Sequence, residues 1–143
     1  MQLLDSYHLS IATILNMPVL YNMQRFLEAQ ENKFQIALNE IKNGRKQSHW
    51  MWFIFPQIAG LGFSETAKFY AIKDLTEASL YLEHTLLGSR LIEISNELLA
   101  IEGKTANQIF GSPGDLKLKS CTTLFSTVQN VNPIFETVLE IYF

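Results

Sequence analysis

The chain has 143 residues, 48% hydrophobic and 17% charged, with a formal net charge of −3, which suits one globular domain with a substantial core. The acidic balance argues against a general nucleic-acid binder, which needs a broad basic face. No apolar run approaches the ~18 residues of a membrane span.

Residues 1–22 contain no Lys or Arg, so the apolar patch from Leu9 to Leu20 lacks the positive leader of a signal peptide. Asn16 and Pro18 interrupt it, and Met17 and Met23 offer alternative starts. This segment reads as a loosely attached extension, and residues 23–143 as a single helical domain. From Arg25 to Lys42 the apolar positions Phe26, Leu27, Phe34, Ile36, Ala37, Leu38 and Ile41 follow a helical pattern. Asn43-Gly44 provides the left-handed stop that ends it. Ser48 is placed to cap a second helix that runs to Phe55 and stops at Pro56. Gly60-Leu-Gly62 is a joint, and Ser64 caps a short helix through Tyr70.

Asp74 with Glu77 reads as a reciprocal capping pair for a helix ending near Glu83, with His84 at its end. Leu86 to Ile101 is amphipathic, with Leu87, Leu91, Ile94, Leu98 and Ile101 on one stripe, and Gly103 stops it. Thr105 with Gln108 caps a short turn closed by Gly111. Ser112-Pro-Gly-Asp115 opens a helix to about Val128, and Asn132-Pro133 opens the last one. No strand pair, heptad or repeat is present in this pattern. The expected fold is all-α, an irregular orthogonal array of about seven short helices.

One cysteine, Cys121, leaves no intramolecular disulfide and fits a reducing cytoplasm. His8, His49 and His84 have no zinc-ligand spacing, so neither a metal nor a cofactor is expected. Charge is laid out unevenly. Residues 45–64 carry two cations and no acid, while residues 65–102 carry seven acids and three cations.

The first of these stretches holds the best candidate site. In GRKQSHWMWFIFPQ (44–57), a helix start capped by Ser48 beside Arg45 and Lys46 is an anion-binding arrangement. His49 supplies an imidazole that can donate and accept, and it is the acid/base candidate if there is a reaction. Trp52 and Pro56 fall on the same helical face as His49 and could stack a ring beside a bound phosphate. The competing reading is that Met51, Phe53, Ile54 and Phe55 are core and the polar residues are solvated. Further on, Lys117 and Lys119 lie about 200° apart on a helix, so they serve different faces. Lys117 near a helix start opposes the macrodipole, which a bound anion or a buried partner would offset.

The segments RFLEAQ (25–30), GRKQSHWMWFIFPQ (44–57), GLGFSETAKFYAI (60–72), LTEASLYLEHTLLGSRL (75–91), IFGSPGDLKLKSCTTLF (109–125) and FETVLEIYF (135–143) resemble the proteins of domain of unknown function 1810, sometimes mislabelled calpastatin. The resemblance implies a mainly helical orthogonal array and supplies no reaction. It implies that His49, Trp52, Pro56, Gln57, Ser64 and Lys117 stand at motif positions. It also makes Cys121 a poor candidate for an essential group, because members of the family often carry Ser-Met at 121–122.

Two functions from different classes follow as expectations. The first is a small-molecule site for an anionic nucleotide or ADP-ribose-like compound, formed by Arg45, Lys46, Ser48, His49, Trp52, Gln57 and Lys117. It requires the segments 44–57 and 112–128 to converge. The second is a helical protein-interaction module, which requires Trp50 or Trp52 to lie exposed in an apolar patch.

Overall fold

The computed structural model describes residues 21–143. It is all-α, as expected, and has nine helices among the described residues: α1 (Gln24–Gln30), α2 (Phe34–Lys42), α3 (Met51–Ile54), α4 (Glu65–Tyr70), α5 (Leu75–Glu83), α6 (Thr85–Leu99), α7 (Ala106–Phe110), α8 (Gly114–Ser126) and α9 (Ile134–Tyr142). An isolated parallel bridge joins Ile58 to Ile72. No helix among these residues is long and apolar enough to cross a membrane. The expectation of a loose extension falls on residues outside the described ones, apart from Tyr21 and Asn22. Those two are tied down: the Tyr21 hydroxyl donates to Asp74 Oδ2 at 3.0 Å, and the Asn22 carbonyl accepts from Arg25.

Local capping chemistry sets most boundaries. Ser64 accepts from the Ala67 N–H at 3.1 Å and starts α4. Thr105 and Gln108 form the reciprocal capping box of α7. Asp74 caps α5 by accepting from the Glu77 N–H, but Glu77 turns its carboxylate to the Lys73 N–H and Arg25. His84 Nδ1 accepts from the N–H groups of Leu86 and Leu87 and starts α6. Gly44, with φ +82°, donates to the Ile41 carbonyl while Arg45 donates to that of Glu40, closing α2 with a left-handed stop.

Three boundaries differ from the sequence reading. The expected helix over 25–42 is two helices, broken at residues 31–33. Gln30 at the break is buried, its amide donating to the Phe53 carbonyl and the Tyr81 hydroxyl. The helix expected from Ser48 is only Met51–Ile54, with Trp50 in the cap position. Pro113, not Ser112, occupies the cap position of α8.

The core gathers around α6, whose Leu87, Leu91, Ile94 and Leu98 are all buried at helical spacing. Tyr81 and Phe125 meet at 5.5 Å, Phe125 and Phe135 at 5.7 Å, and Phe26 stands edge-on to Tyr81 at 5.0 Å. Arg25 is the polar tie in this interior. It pairs with Glu77 at 3.1 Å and donates to the carbonyls of Phe69 and Ala71, so one guanidinium fixes α1 to the α4–α5 joint. This orders the segment that leads back to the candidate site.

Candidate functional site

The loop between α2 and α3 does not present a free helix start. Its inward donors are consumed by Glu40, which comes from the last turns of α2. The carboxylate accepts from the Gln47 N–H at 2.6 Å, the Ser48 N–H at 2.8 Å, Trp50 Nε1 at 2.9 Å and the Ser48 hydroxyl. Burial alone would raise its pKa, but the bonds from Ser48, Gln47 and Trp50 outweigh burial and hold it at about 2. Ser48 is therefore a ligand of an internal carboxylate and not a helix cap. The anion expected at this turn is the protein's own. His49 lies before the helix, exposed, with no hydrogen bond to a described residue, so it shares no helical face with Trp52 and Pro56. Arg45 is likewise exposed.

The two segments 44–57 and 112–128 do converge. Lys117 of α8 places its ammonium 3.6 Å from the centroid of the Trp52 ring, a close cation–π contact. Burial lowers the Lys117 pKa, and the charge of Lys46 lowers it further. Lys46 has its backbone N–H on the Ile109 carbonyl at 2.8 Å. Its ammonium donates to the Ser48 carbonyl at 2.5 Å and stands 5.2 Å from the Trp50 ring. Burial lowers its pKa as well, and Glu40 works in the opposite direction. Neither ammonium has a described carboxylate within ion-pair distance. Two partly desolvated cations thus lie near enough for Lys46 to disfavour the charge on Lys117, one over Trp52 and the other near Trp50. Lys119 serves another face, as its spacing required, with its ammonium 5.9 Å from the Phe143 ring.

Trp52 also forms a wall of a cavity of about 140 Å³, with Gln57, the Gly60–Gly62 turn, Ala67 and Tyr70 among its other lining residues. The backbone of this cavity is fixed by the bridge, where Ile72 N–H donates to the Gln57 carbonyl at 2.8 Å and Ala59 N–H to the Ile72 carbonyl at 2.7 Å. Gly60 has φ +96°, a conformation that favours glycine. At Gly62 a Cβ would lie 2.5 Å from that of Ala67 and 3.8 Å from the Trp52 ring, so only glycine lets the turn close over the indole. The Gln57 amide nitrogen is buried without a hydrogen-bond partner.

Of the expected residues, Lys46, Trp52 and Lys117 come together, and Gln57 joins them through the cavity that Trp52 borders. Ser48 is committed to Glu40, while Arg45 and His49 are exposed at the rim of the loop. Glu40 and Tyr70 were missed. Glu40 carries no local signal, because its donors begin seven residues downstream, and Tyr70 reads as ordinary core.

The chain matches the model of a family described as "Protein of unknown function (DUF1810)" over residues 20–143, and it belongs to that family. It is similar to the crystal structure of the conserved hypothetical protein Rv1873 from Mycobacterium tuberculosis, with 43% sequence identity, 85% of this chain and 87% of that chain covered, and a TM-score of 0.84. No curated protein matches it.

Proposed function

We propose that the protein binds a small anionic ligand, a nucleotide or ADP-ribose-like compound, on the surface shared by Lys117 over Trp52 and Lys46 near Trp50. The carrying observation is the Lys117 ammonium, held 3.6 Å over the indole and depressed by burial and by the neighbouring Lys46. Lys46 disfavours the charge on Lys117, and Glu40 offsets burial only at Lys46, so a phosphate between the two ammonium groups removes that repulsion while gaining two charge-assisted hydrogen bonds. Arg45 and His49, being exposed, add charge and donors at the rim. The site lies within a domain expected in the cytoplasm, and the reading concerns binding, with His49 the acid/base candidate if there is a reaction.

A thermal-shift screen of the full chain against pyrophosphate, ATP, ADP-ribose and NAD tests this. A ligand at about 100 times its Kd stabilises by ~2.7 kcal/mol, and Lys117→Gln and Lys46→Gln should each abolish most of the shift. A shift that survives both substitutions contradicts the reading.

The rival reading, an interaction module for a protein partner, has its own supporting observation. Trp50 is fully buried, but Phe63 is 87% exposed, Phe69 56% and Leu61 55%, close in sequence. Acrylamide quenching of tryptophan separates the two. Protection by a phosphate compound supports the ligand site, whereas protection only by a protein partner supports the module.

A further inference from the structure

The cavity behind Trp52 bears on which part of a ligand enters the protein. Its volume, about 140 Å³, is close to that of an engineered apolar cavity of about 150 Å³ that binds benzene. One six-membered ring fits such a space. The walls suit a ring, because the Trp52 and Tyr70 side chains line the cavity and the Gly60–Gly62 turn brings backbone close. The N–H groups of Gly60, Leu61 and Gly62 donate to no described backbone carbonyl.

Gln57, Lys68 and Tyr70 are the residues with polar side-chain termini among those lining this space, and Gln57 carries the amide. Its main chain is pinned by the bridge to Ile72, while its amide nitrogen is buried and unpartnered. An unpaired buried amide is costly, and most such groups in native proteins have a partner. The terminal amide torsion of glutamine is broad, so rotation about it can turn an N–H or the carbonyl toward a guest. A guest with a carboxamide or lactam edge offers the complementary acceptor and donor together.

We infer that this cavity takes a six-membered nitrogen heterocycle with a carboxamide or lactam edge, read by the Gln57 amide and packed against Trp52. The inference deepens the ligand reading above by naming the neutral part of the molecule. Its phosphates would lie near Lys117, which stands over the Trp52 ring, and Lys46, which stands near the Trp50 ring. Lys117 and the cavity share the Trp52 ring but recognise different chemistry.

The test is an NMR titration of the ¹⁵N-labelled full chain with nicotinamide and with uracil, both neutral, and with pyridine as a ring lacking the amide edge. Nicotinamide or uracil should shift the Gln57 side-chain amide signals, the Trp52 indole N–H and the backbone of Gly60–Gly62, and should bind more tightly than pyridine. Gln57→Leu should weaken that binding by about tenfold, the loss of one buried hydrogen bond. Gln57→Glu, which keeps the shape and removes both donors, gives the same readout if the leucine variant folds poorly. Absence of these shifts with either neutral probe, or affinity unchanged in a folded Gln57 variant, overturns the inference. Pyrophosphate titrated in parallel reports on the lysine pair alone. Failure of pyrophosphate with success of nicotinamide or uracil removes the anion reading and keeps this one, and the reverse pattern does the opposite.

Discussion

Glu40 decides what the 44–57 motif can do. Four donors converge on its carboxylate, and its pKa is held at about 2 against an ordinary 4.5. A folded-state pKa below the unfolded one means the group stabilises the fold above the unfolded pKa. That contribution is lost as pH falls through the folded one. The melting temperature should therefore decline between about pH 4.5 and about pH 2, and Glu40→Gln should remove this part of the decline. At neutral pH the same substitution places an NH₂ among donors and should cost about 2 kcal/mol, measured as a shift in urea midpoint. Ser48 illustrates why local reading misled. A serine ahead of an apolar run looks like a cap, yet the groups it serves are set by a carboxylate eight residues earlier.

At the scale of elements, caps whose partners lie within four residues were legible in the sequence. Ser64, Asp74 and the Thr105–Gln108 box all stand where their spacing put them. The amphipathic stripe of α6 was equally legible, since a buried face must repeat at helical spacing. The break between α1 and α2 was not, because its residues keep a helical pattern across a turn imposed by Gln30 contacts with Phe53 and Tyr81. The α5–α6 corner was read at Glu83–Leu86, but the close packing at Gly88 was hidden. There a Cβ on Gly88 would lie 2.0 Å from the Leu82 carbonyl oxygen, so the helix can turn this tightly only over glycine. Gly88→Ala gains about 1 kcal/mol of helix propensity but must push backbone apart. It should lower stability by about 2 kcal/mol net, and a raised denaturation midpoint would contradict the packing described.

For the whole molecule, the helical class was within reach of the sequence, whereas the convergence of 44–57 with 112–128 was a requirement of the ligand reading that no local pattern could show. Lys117 near a helix start raised the need for a compensating partner, and the partner is the Trp52 ring with Lys46 nearby. The cavity at Gln57 was not readable, because it depends on a bridge between Ile58 and Ile72 and on a turn closing over Trp52. The same assembly predicts a pH response in binding. An anion favours protonated lysine, and Lys117 deprotonates below its ordinary 10.5 because of burial and Lys46. Affinity for pyrophosphate, read by calorimetry, should therefore hold at neutral pH and fall before pH 10.5 is reached. It should also fall with added salt, since part of the attraction is screened.

The most direct measurement is a crystal structure of the full chain soaked with ADP-ribose or NAD. Phosphate density about 3 Å from the ammonium groups of Lys46 and Lys117, with Glu40 still bound to Ser48 and Trp50, is the predicted result. Density centred on the N–H groups of Gln47 and Ser48 with Glu40 displaced, or a ligand seated on another face of the domain, would contradict the account.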